Sequence, residues 1–282
     1  HGAQITTTTG SGVVAQDNVS LTIEDSRLFD GENGIDTDAG PDIESEAYGV
    51  LAANDTTTQV IHNTTIEDFD ADGINTIADN LEVNDTSVIQ NNNIGSLDTG
   101  EGGLVTDADI EESGNQYVVD SSTIENNNGD GIDIEGVGLD MDSSDVDQNA
   151  NIGVEVDDGD VVDIEGGSVD DNGANGVDTT NVDDVDISNV DIQSNGGTDN
   201  VRVDGATTEL DVDNSSDINS ASNGINVTSS GDVTIIDSVV EDHNNEGIDI
   251  QAANASVERN DVTNNSVGIR TDLTDTPDTT SG

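Results

Sequence analysis

The sequence predicts an all-β solenoid of about 11–12 stacked coils, each 21–24 residues long and carrying three short strands. Three observations predict it. A glycine-led phrase, Gly-(Ile/Val)-x-(Ile/Val/Thr), begins at Gly131, Gly153, Gly176, Gly224, Gly247 and Gly268, with Asn200 filling the one gap, at steps of 21 to 24 residues. Each phrase is followed by two more short runs that alternate aliphatic and polar residues, the pattern of strands with one buried face. Asn-rich segments such as Asn126-Asn127-Asn128 and Asn244-Asn245 close the units, where turns need residues that tolerate positive φ.

Going backwards, the phrase starts at Gly103, Gly73, Gly49, Gly34 and Gly12, with longer steps between 73, 103 and 131. Residues 1–271 therefore read as one domain with insertions near 34–48, 91–102 and 107–116, and 272–282 as a Thr/Asp-rich tail or linker. Residues 34–48 fit either a short coil or a loop.

The first position of the phrase is aliphatic throughout: Val13, Ile35, Val50, Ile74, Leu104, Ile132, Val154, Val177, Val201, Ile225, Ile248 and Ile269. Stacked coils would pile these into one inward column, each buried side chain contributing roughly 1.5–3 kcal/mol. The second run supplies Leu21, Leu81/Val83, Leu139/Met141, Val162/Ile164, Val185/Ile187, Leu210/Val212 and Val233/Ile235. The third pairs a hydroxyl with an aliphatic residue: Ser26/Leu28, Thr64/Ile66, Thr86/Val88, Ser122/Ile124, Ser144/Val146, Ser216/Ile218 and Ser238/Val240. Asn side chains at equivalent turns are placed to stack along the axis. The residue between the two inward positions faces out: Asp133, Glu155, Asp178, Arg202, Asn226, Asp249 and Arg270 on successive coils. Asp178–Arg202 and Asp249–Arg270 are the expected cross-coil ion pairs.

Composition removes whole classes of function. There are 63 Asp+Glu against 4 Lys+Arg, a formal net charge of −59. All four cations are arginine, which excludes nucleic-acid binding, since that runs on many Lys and Arg contacts to phosphate. Cysteine is absent, so no disulfide framework or thiolate zinc site exists. No long apolar run is present to span a membrane. High charge with only 30% hydrophobic residues would ordinarily read as disorder; the fixed spacing of like residues argues for order. The chain starts at His1, which reads as a processed form or a segment of a longer protein. A secreted or cell-surface location is expected.

The phrase, its spacing and the three runs resemble the right-handed parallel β-helix proteins, the pectin-lyase-like repeat family, over residues ~12–271. Left-handed β-helices follow strict hexapeptides, and the nine-residue calcium-binding roll has another period; neither fits. The Asp-rich, Lys-free composition resembles secreted or surface proteins of salt-loving archaea. A net charge of −59 opposes any compact state unless salt screens it, so high concentrations of monovalent salt are an expected requirement.

The resemblance implies where catalysis would be sought. Lyases of this fold use Arg or Lys as proton abstractor beside calcium-binding Asp residues. Polygalacturonase-type enzymes carry Asn-Thr-Asp, Asp-Asp, Gly-His-Gly and Arg-Ile-Lys motifs. Here Gly-His-Gly and Arg-Ile-Lys are missing. Asp157-Asp158, Asp170-Asp171 and Asp183-Asp184 occur, as they must among 63 acids. A carboxylate column with steps of about 4.8 Å places pairs near glycosidase separations anywhere on the rod, so separation carries no signal. The histidines His1, His62 and His243 read as solvent-facing turn or strand residues. Two Tyr and no Trp are poor equipment for stacking sugars.

No cofactor is required by these residues. Calcium is a candidate ligand where turn carboxylates converge, at Asp130, Asp133 and Glu155, with diffuse cation screening as the plain alternative. Asn-x-Ser/Thr sequons stand at Asn18, Asn54, Asn63, Asn84, Asn214, Asn226, Asn254 and Asn264; they permit glycosylation and are no more frequent than composition predicts. Neither end offers an obvious cap, and open strand edges invite pairing. Partners are therefore expected at the ends: other copies stacked end to end, or further domains of a longer chain. The leading expectation is a non-enzymatic structural rod, serving as fibre or filament subunit, adhesin or surface spike. The alternative is a tailspike-like lyase or glycosidase acting on polysaccharide.

Overall fold

The structure is a computed structural model. It describes residues 4–6, 13–16, 20–31, 50–53, 58–69, 72–76, 80–92, 102–106, 116–205, 207, 209–213, 217–219, 221–229 and 231–272. The expected insertions near 34–48, 91–102 and 107–116 lie mostly outside the described residues, as does the tail beyond Asp272.

The described strands form three parallel sheets, two of eleven strands and one of ten, with every neighbour three strands away in sequence. That order is a coil that visits each sheet once per turn. Sheet 1 runs from Gln4–Thr6 to Asp261–Thr263, sheet 2 from Val13–Gln16 to Val267–Thr271, and sheet 3 from Ser20–Glu24 to Asn254–Glu258. Ten inter-strand steps of about 4.8 Å make a shaft roughly 50 Å long.

The glycine-led phrases are the sheet 2 strands, and the inward column is as expected. Val13, Val50, Ile74, Leu104, Ile132 and Val154 oppose one another in sequence order. Val177, Val201, Ile225, Ile248 and Ile269 continue the line. Val13–Gln16 pairs directly with Val50–Ala53, so the column has eleven members and Ile35 is not among them. Sheet 3 adds two inward columns. One includes Leu81, Tyr117, Leu139, Val162, Val185 and Leu210; the other includes Val83, Val119, Met141, Ile164, Ile187 and Val212. All of these residues are fully buried.

Sheet 1 carries Leu28, Ile66, Ile89, Ile124, Val146, Val169, Ile192, Ile218 and Val240 inward, again fully buried. One expected pair is out of phase. Thr86/Val88 is in fact Ser87/Ile89, since Ile89 opposes Ile66 and Ile124. The cause is a corner one residue longer than its copies: Asp85 and Thr86 both have positive φ, at 51° and 66°, where most other corners use a single such residue.

The corners assign new jobs to glycine and asparagine. Left-handed corner positions are held by Asp, Asn, Ser and Gln, among them Asp25, Asn126, Ser143, Gln148 and Asp171, with only a few glycines. Asn and Asp accept this region more readily than other side chains. The phrase glycines lack positive φ; they are glycine for want of space. A Cβ on Gly153 would lie 2.6 Å from Val169 Cγ1, 2.7 Å from Asn172 Nδ2 and 2.7 Å from the Gly176 carbonyl. Gly131 and Gly176 are equally tight.

The obstructing amides form an internal ladder. Asn92, Asn127, Asn149, Asn172 and Asn195 are buried on successive rungs. Each Oδ1 beyond the first accepts the backbone N–H and the side-chain Nδ2 of the asparagine before it, at 2.9–3.1 Å. A second Nδ2 contact reaches a carbonyl of the preceding strand, as from Asn149 to Ile124 at 3.1 Å. Where the phrase has Asn200 in place of glycine, its Oδ1 accepts from Asn195 Nδ2 at 3.2 Å, standing where the next ladder amide would be. At the other corner, buried Ser87, Ser122 and Ser144 do similar work through their hydroxyls.

Gln59 departs from its column. It sits between Leu21 and Leu81 in sheet 3, is fully buried, and neither polar atom of its amide has a hydrogen-bond partner among the described residues. A buried polar group left unpaired costs roughly 1–3 kcal/mol. Gln59→Leu is expected to raise unfolding free energy by about 1–2 kcal/mol, read by urea denaturation in high salt. A loss of stability would mean that the amide is satisfied.

Candidate functional site

The outer face of sheet 2 is the most chemically patterned surface. Two positions repeat on it: the residue before each phrase glycine and the residue three further on. In the rung of Gly73 they are Asp72 and Asn75, both buried, with Asn75 Nδ2 donating to Asp72 at 3.2 Å. In the rung of Gly176 the types swap, and Asn175 Nδ2 donates to Asp178 at 2.9 Å. Asp199 is buried and accepts from Asn223 at 2.6 Å and from Asn226 at 3.3 Å. Arg202 bridges Asp178 at 3.2 Å and Asp204 at 3.1 Å. Arg270 meets Asp249 and, at 2.8 Å, Glu246. Both expected cross-coil pairs form, and in each of these rungs an acid faces an amide or a guanidinium.

The rungs of Gly131 and Gly153 break the rule. Asp133 and Glu155 oppose each other on Ile132–Glu135 and Val154–Asp157, and Asp130 stands at the preceding turn. The three offer carboxylate oxygens within 4.8 Å of one another. Asp130 is 1% exposed, while Asp133 and Glu155 are half-buried. Asp130 Oδ1 accepts the Ile152 backbone N–H at 2.7 Å, and its carboxylate also receives the Asn151 side chain. Arg202 lies two rungs from Glu155 and is already engaged.

Burial, with Glu155 nearby, pushes the Asp130 carboxyl up to about 7 against the opposing pull of the Ile152 N–H. Burial first, and then the charges of Asp133, Asp157 and Asp178, push Glu155 up to about 7; Arg202 opposes this. Such a cluster is stabilised by a proton or by a cation. A hard dication with oxygen ligands suits three carboxylates. The set proposed from sequence is thus brought together.

Other acids line up without closing into a site. On sheet 3, Asp140, Asp163, Asp186 and Asp211 follow one another rung by rung. Burial and then these neighbours raise Asp163, and raise Asp186 to about 6. On sheet 1, Asp170 is raised to about 6, chiefly by burial.

The histidines differ from expectation. His62 is half-buried and pairs with Asp85. His243 is 2% exposed, not solvent-facing. It takes an asparagine's place at the ladder corner: its backbone N–H donates to Asn265 Oδ1 at 2.9 Å, and its Nε2 lies 2.9 Å from the Ile218 carbonyl. Burial lowers its pKa, which suits a neutral structural ring.

Of the sequons, Asn18, Asn54 and Asn214 lie outside the described residues. Asn63, Asn254 and Asn264 are exposed, although Asn63 donates to Asp25 and Asn254 to Asp232. Asn84 is half-buried, and Asn226 is committed to Asp199. The acid–amide rows were missed in the sequence; their signal was the pair of positions flanking each phrase glycine, which alternates acid with Asn or Arg.

The fold and this face define a solenoid class with an acidic, ligand-capable sheet. A family model described as the right-handed beta helix region matches residues 130–280, and the chain belongs to that family. Among solved structures it is similar to the A-module of the mannuronan C-5 epimerase AlgE6 of Azotobacter vinelandii, at 18% identity and a TM-score of 0.48, over 97% of this chain and 80% of that one. No curated protein matches the chain by sequence. The expectation of a protein without catalytic activity is corrected by this finding: the matched structure is an enzyme, and missing motifs do not make this chain a non-enzyme. The likeness concerns the fold and assigns no reaction to these residues.

Proposed function

We propose that the protein is an extracellular or cell-surface β-helical rod whose acidic faces work with cations, and that Asp130, Asp133 and Glu155 hold a calcium ion. One observation carries the reading. Along sheet 2, acids meet amides or guanidiniums rung after rung, whereas these two rungs gather three carboxylates around one point. A dication there replaces the missing counter-charge and ties two coils together.

The test is thermal unfolding in high KCl with and without calcium. With carboxyl pKa values raised in the folded state, the native protein binds more protons than the unfolded chain between about pH 4 and 7. Stability therefore falls as pH rises through that window. Calcium is expected to restore it at pH 8, and magnesium less so, because magnesium sheds water reluctantly. Asp130→Asn keeps the acceptor for Ile152 and removes the charge. Without calcium at pH 8 it is expected to stabilise by about 1–2 kcal/mol, a rise of about 2–8 °C, and to abolish the calcium increment. An undiminished increment in the variant would reduce the effect to diffuse screening.

A second reading, action on an acidic polysaccharide as a lyase or glycosidase, is favoured by the same two values. Carboxyls near 7 can give and take protons at neutral pH, as acid–base chemistry requires. Incubation with uronate polysaccharides tests it: chain cleavage lost in both Asp130→Asn and Glu155→Gln would support it, and intact polymer would end it.

A further inference from the structure

The core is open at the C-terminal end of the shaft. Ile269 is 47% exposed and Val267 42%, although Ile248, the neighbour of Ile269 in the same inward column, is fully buried. Ala255, Val257 and Val262, the inward residues of the last sheet 3 and sheet 1 strands, are only partly buried. Among the described residues, Asn254–Glu258, Asp261–Thr263 and Val267–Thr271 each end a sheet with one edge unpaired. The residues that follow, Leu273 to Gly282, bring a single aliphatic side chain, Leu273, and one proline, Pro277. That is too little apolar surface to continue three inward columns.

The opposite end presents the matching pieces. Gln4–Thr6 begins sheet 1 and Val13–Gln16 begins sheet 2. Ile5 holds the register position of Leu28, in the column that ends at Val262. Val13 begins the column that ends at Ile269. All strands point the same way along the coil, so the first rung of one molecule can add to the last rung of another by the parallel pairing already used inside the chain.

Charge favours this end as well. Two of the four arginines, Arg259 and Arg270, lie in the last turn, where they neutralise Asp237 and Asp249. The approach of a second polyanion is least opposed there. Sheet 3 has ten strands against eleven in its neighbours, which leaves one strand position between stacked copies for the residues after Thr271.

We infer that the open C-terminal rung docks the N-terminal rung of a second copy of this chain, so that Val262 and Ile269 rest under Ile5 and Val13 of the next molecule and the shaft grows head to tail. Three short strands make an end face smaller than the roughly 800 Å² per partner of a standard interface. Assembly therefore depends on concentration and on the salt that screens the flanks.

The full chain in molar KCl provides the test, by light scattering and electron microscopy over a concentration series. The native protein is expected to form rods in multiples of one shaft, and Ile269→Lys to return the mean mass to the 29.0 kDa of a single chain with its strand signal intact. A double variant, Val13→Cys with Ile269→Cys, gives a readout that does not rely on disrupting the end. The native chain has no cysteine, and the two sites lie at opposite ends of the shaft, too far apart for an internal disulfide. In the stack they are one rung apart, about 4.8 Å, within disulfide reach. Oxidation should give a covalent ladder with the double variant and none with either single variant. A monomer at every concentration, aggregation unchanged by Ile269→Lys, or no ladder from the folded double variant would each overturn the inference.

Discussion

Transfer from molar KCl to about 0.1 M salt is expected to unfold the protein, with loss of the strand signal in circular dichroism. The stacked coils place acids in register: Asp133, Glu155 and Asp178 on sheet 2, and Asp140, Asp163, Asp186 and Asp211 on sheet 3. Neighbours in such a column sit one rung apart, about 4.8 Å, where two like charges repel by about 1 kcal/mol even in water. In molar salt the Debye length is about 3 Å and the repulsion is largely screened; at 0.1 M it is about 10 Å, and whole columns repel. A domain is stable by only about 5–15 kcal/mol, so a handful of these pairs decides whether it folds. The same columns predict a rescue. Asp163, Asp186, Asp170 and Glu155 titrate above the ordinary carboxylate range, the last three at about 6 to 7. The folded state therefore takes up protons first as pH falls, and low-salt stability should rise from pH 8 toward pH 5. A strand signal indifferent to salt at neutral pH would show that the columns cost little.

Much of this was legible in the sequence because a solenoid repeats its contacts. The aliphatic residue after each phrase glycine marks one column, and that spacing alone placed Ile132, Val154, Val177 and Ile225 above one another as the pairings do. What failed were features that depend on a third dimension. A corner of two positive-φ residues at Asp85-Thr86 shifted the phase of Ile89 without altering the look of the sequence. The phrase glycines suggested turns, whereas an asparagine about twenty residues away in sequence forbids them a side chain, as Asn172 does for Gly153. His243 looked like a surface residue in an Asn-rich turn; the ladder that buries it is visible only once Asn195 and Asn265 are known to occupy the same kind of corner. The candidate cluster was found for a partly incidental reason, since Asp130, Asp133 and Glu155 were three acids among 63. Their distinction is the compensation of the surrounding rungs, which needs side-chain geometry to see.

The asparagine ladder should be the most sensitive part of the shaft. Asn149 is buried, and its side chain accepts from Asn127 N at 3.1 Å and Asn127 Nδ2 at 2.9 Å while donating to Ile124 O and Asn172 Oδ1, each at 3.1 Å. Asn149→Ala removes all four bonds and strands buried partners on both adjoining rungs. Each stranded group costs roughly 1–3 kcal/mol, so a loss of about 3–5 kcal/mol is expected, against within about 0.5 kcal/mol for exposed Asn244→Ala. Urea denaturation in high KCl measures both, whereas guanidinium chloride would itself screen the acids. The glycine packed on the ladder gives an independent arm. At Gly153 an added methyl would meet the Gly176 carbonyl at 2.7 Å, and backbone does not yield as a flexible side chain does, so Gly153→Ala should cost about 1–3 kcal/mol or more. At Gly268 the same methyl would meet only Val262 Cγ1, at 3.9 Å, and Gly268→Ala should be tolerated. Equal losses at the two glycines would mean that glycine is required there by the backbone and not by the asparagine stack, and would remove the ladder from its place as the element that fixes how one coil sits on the next.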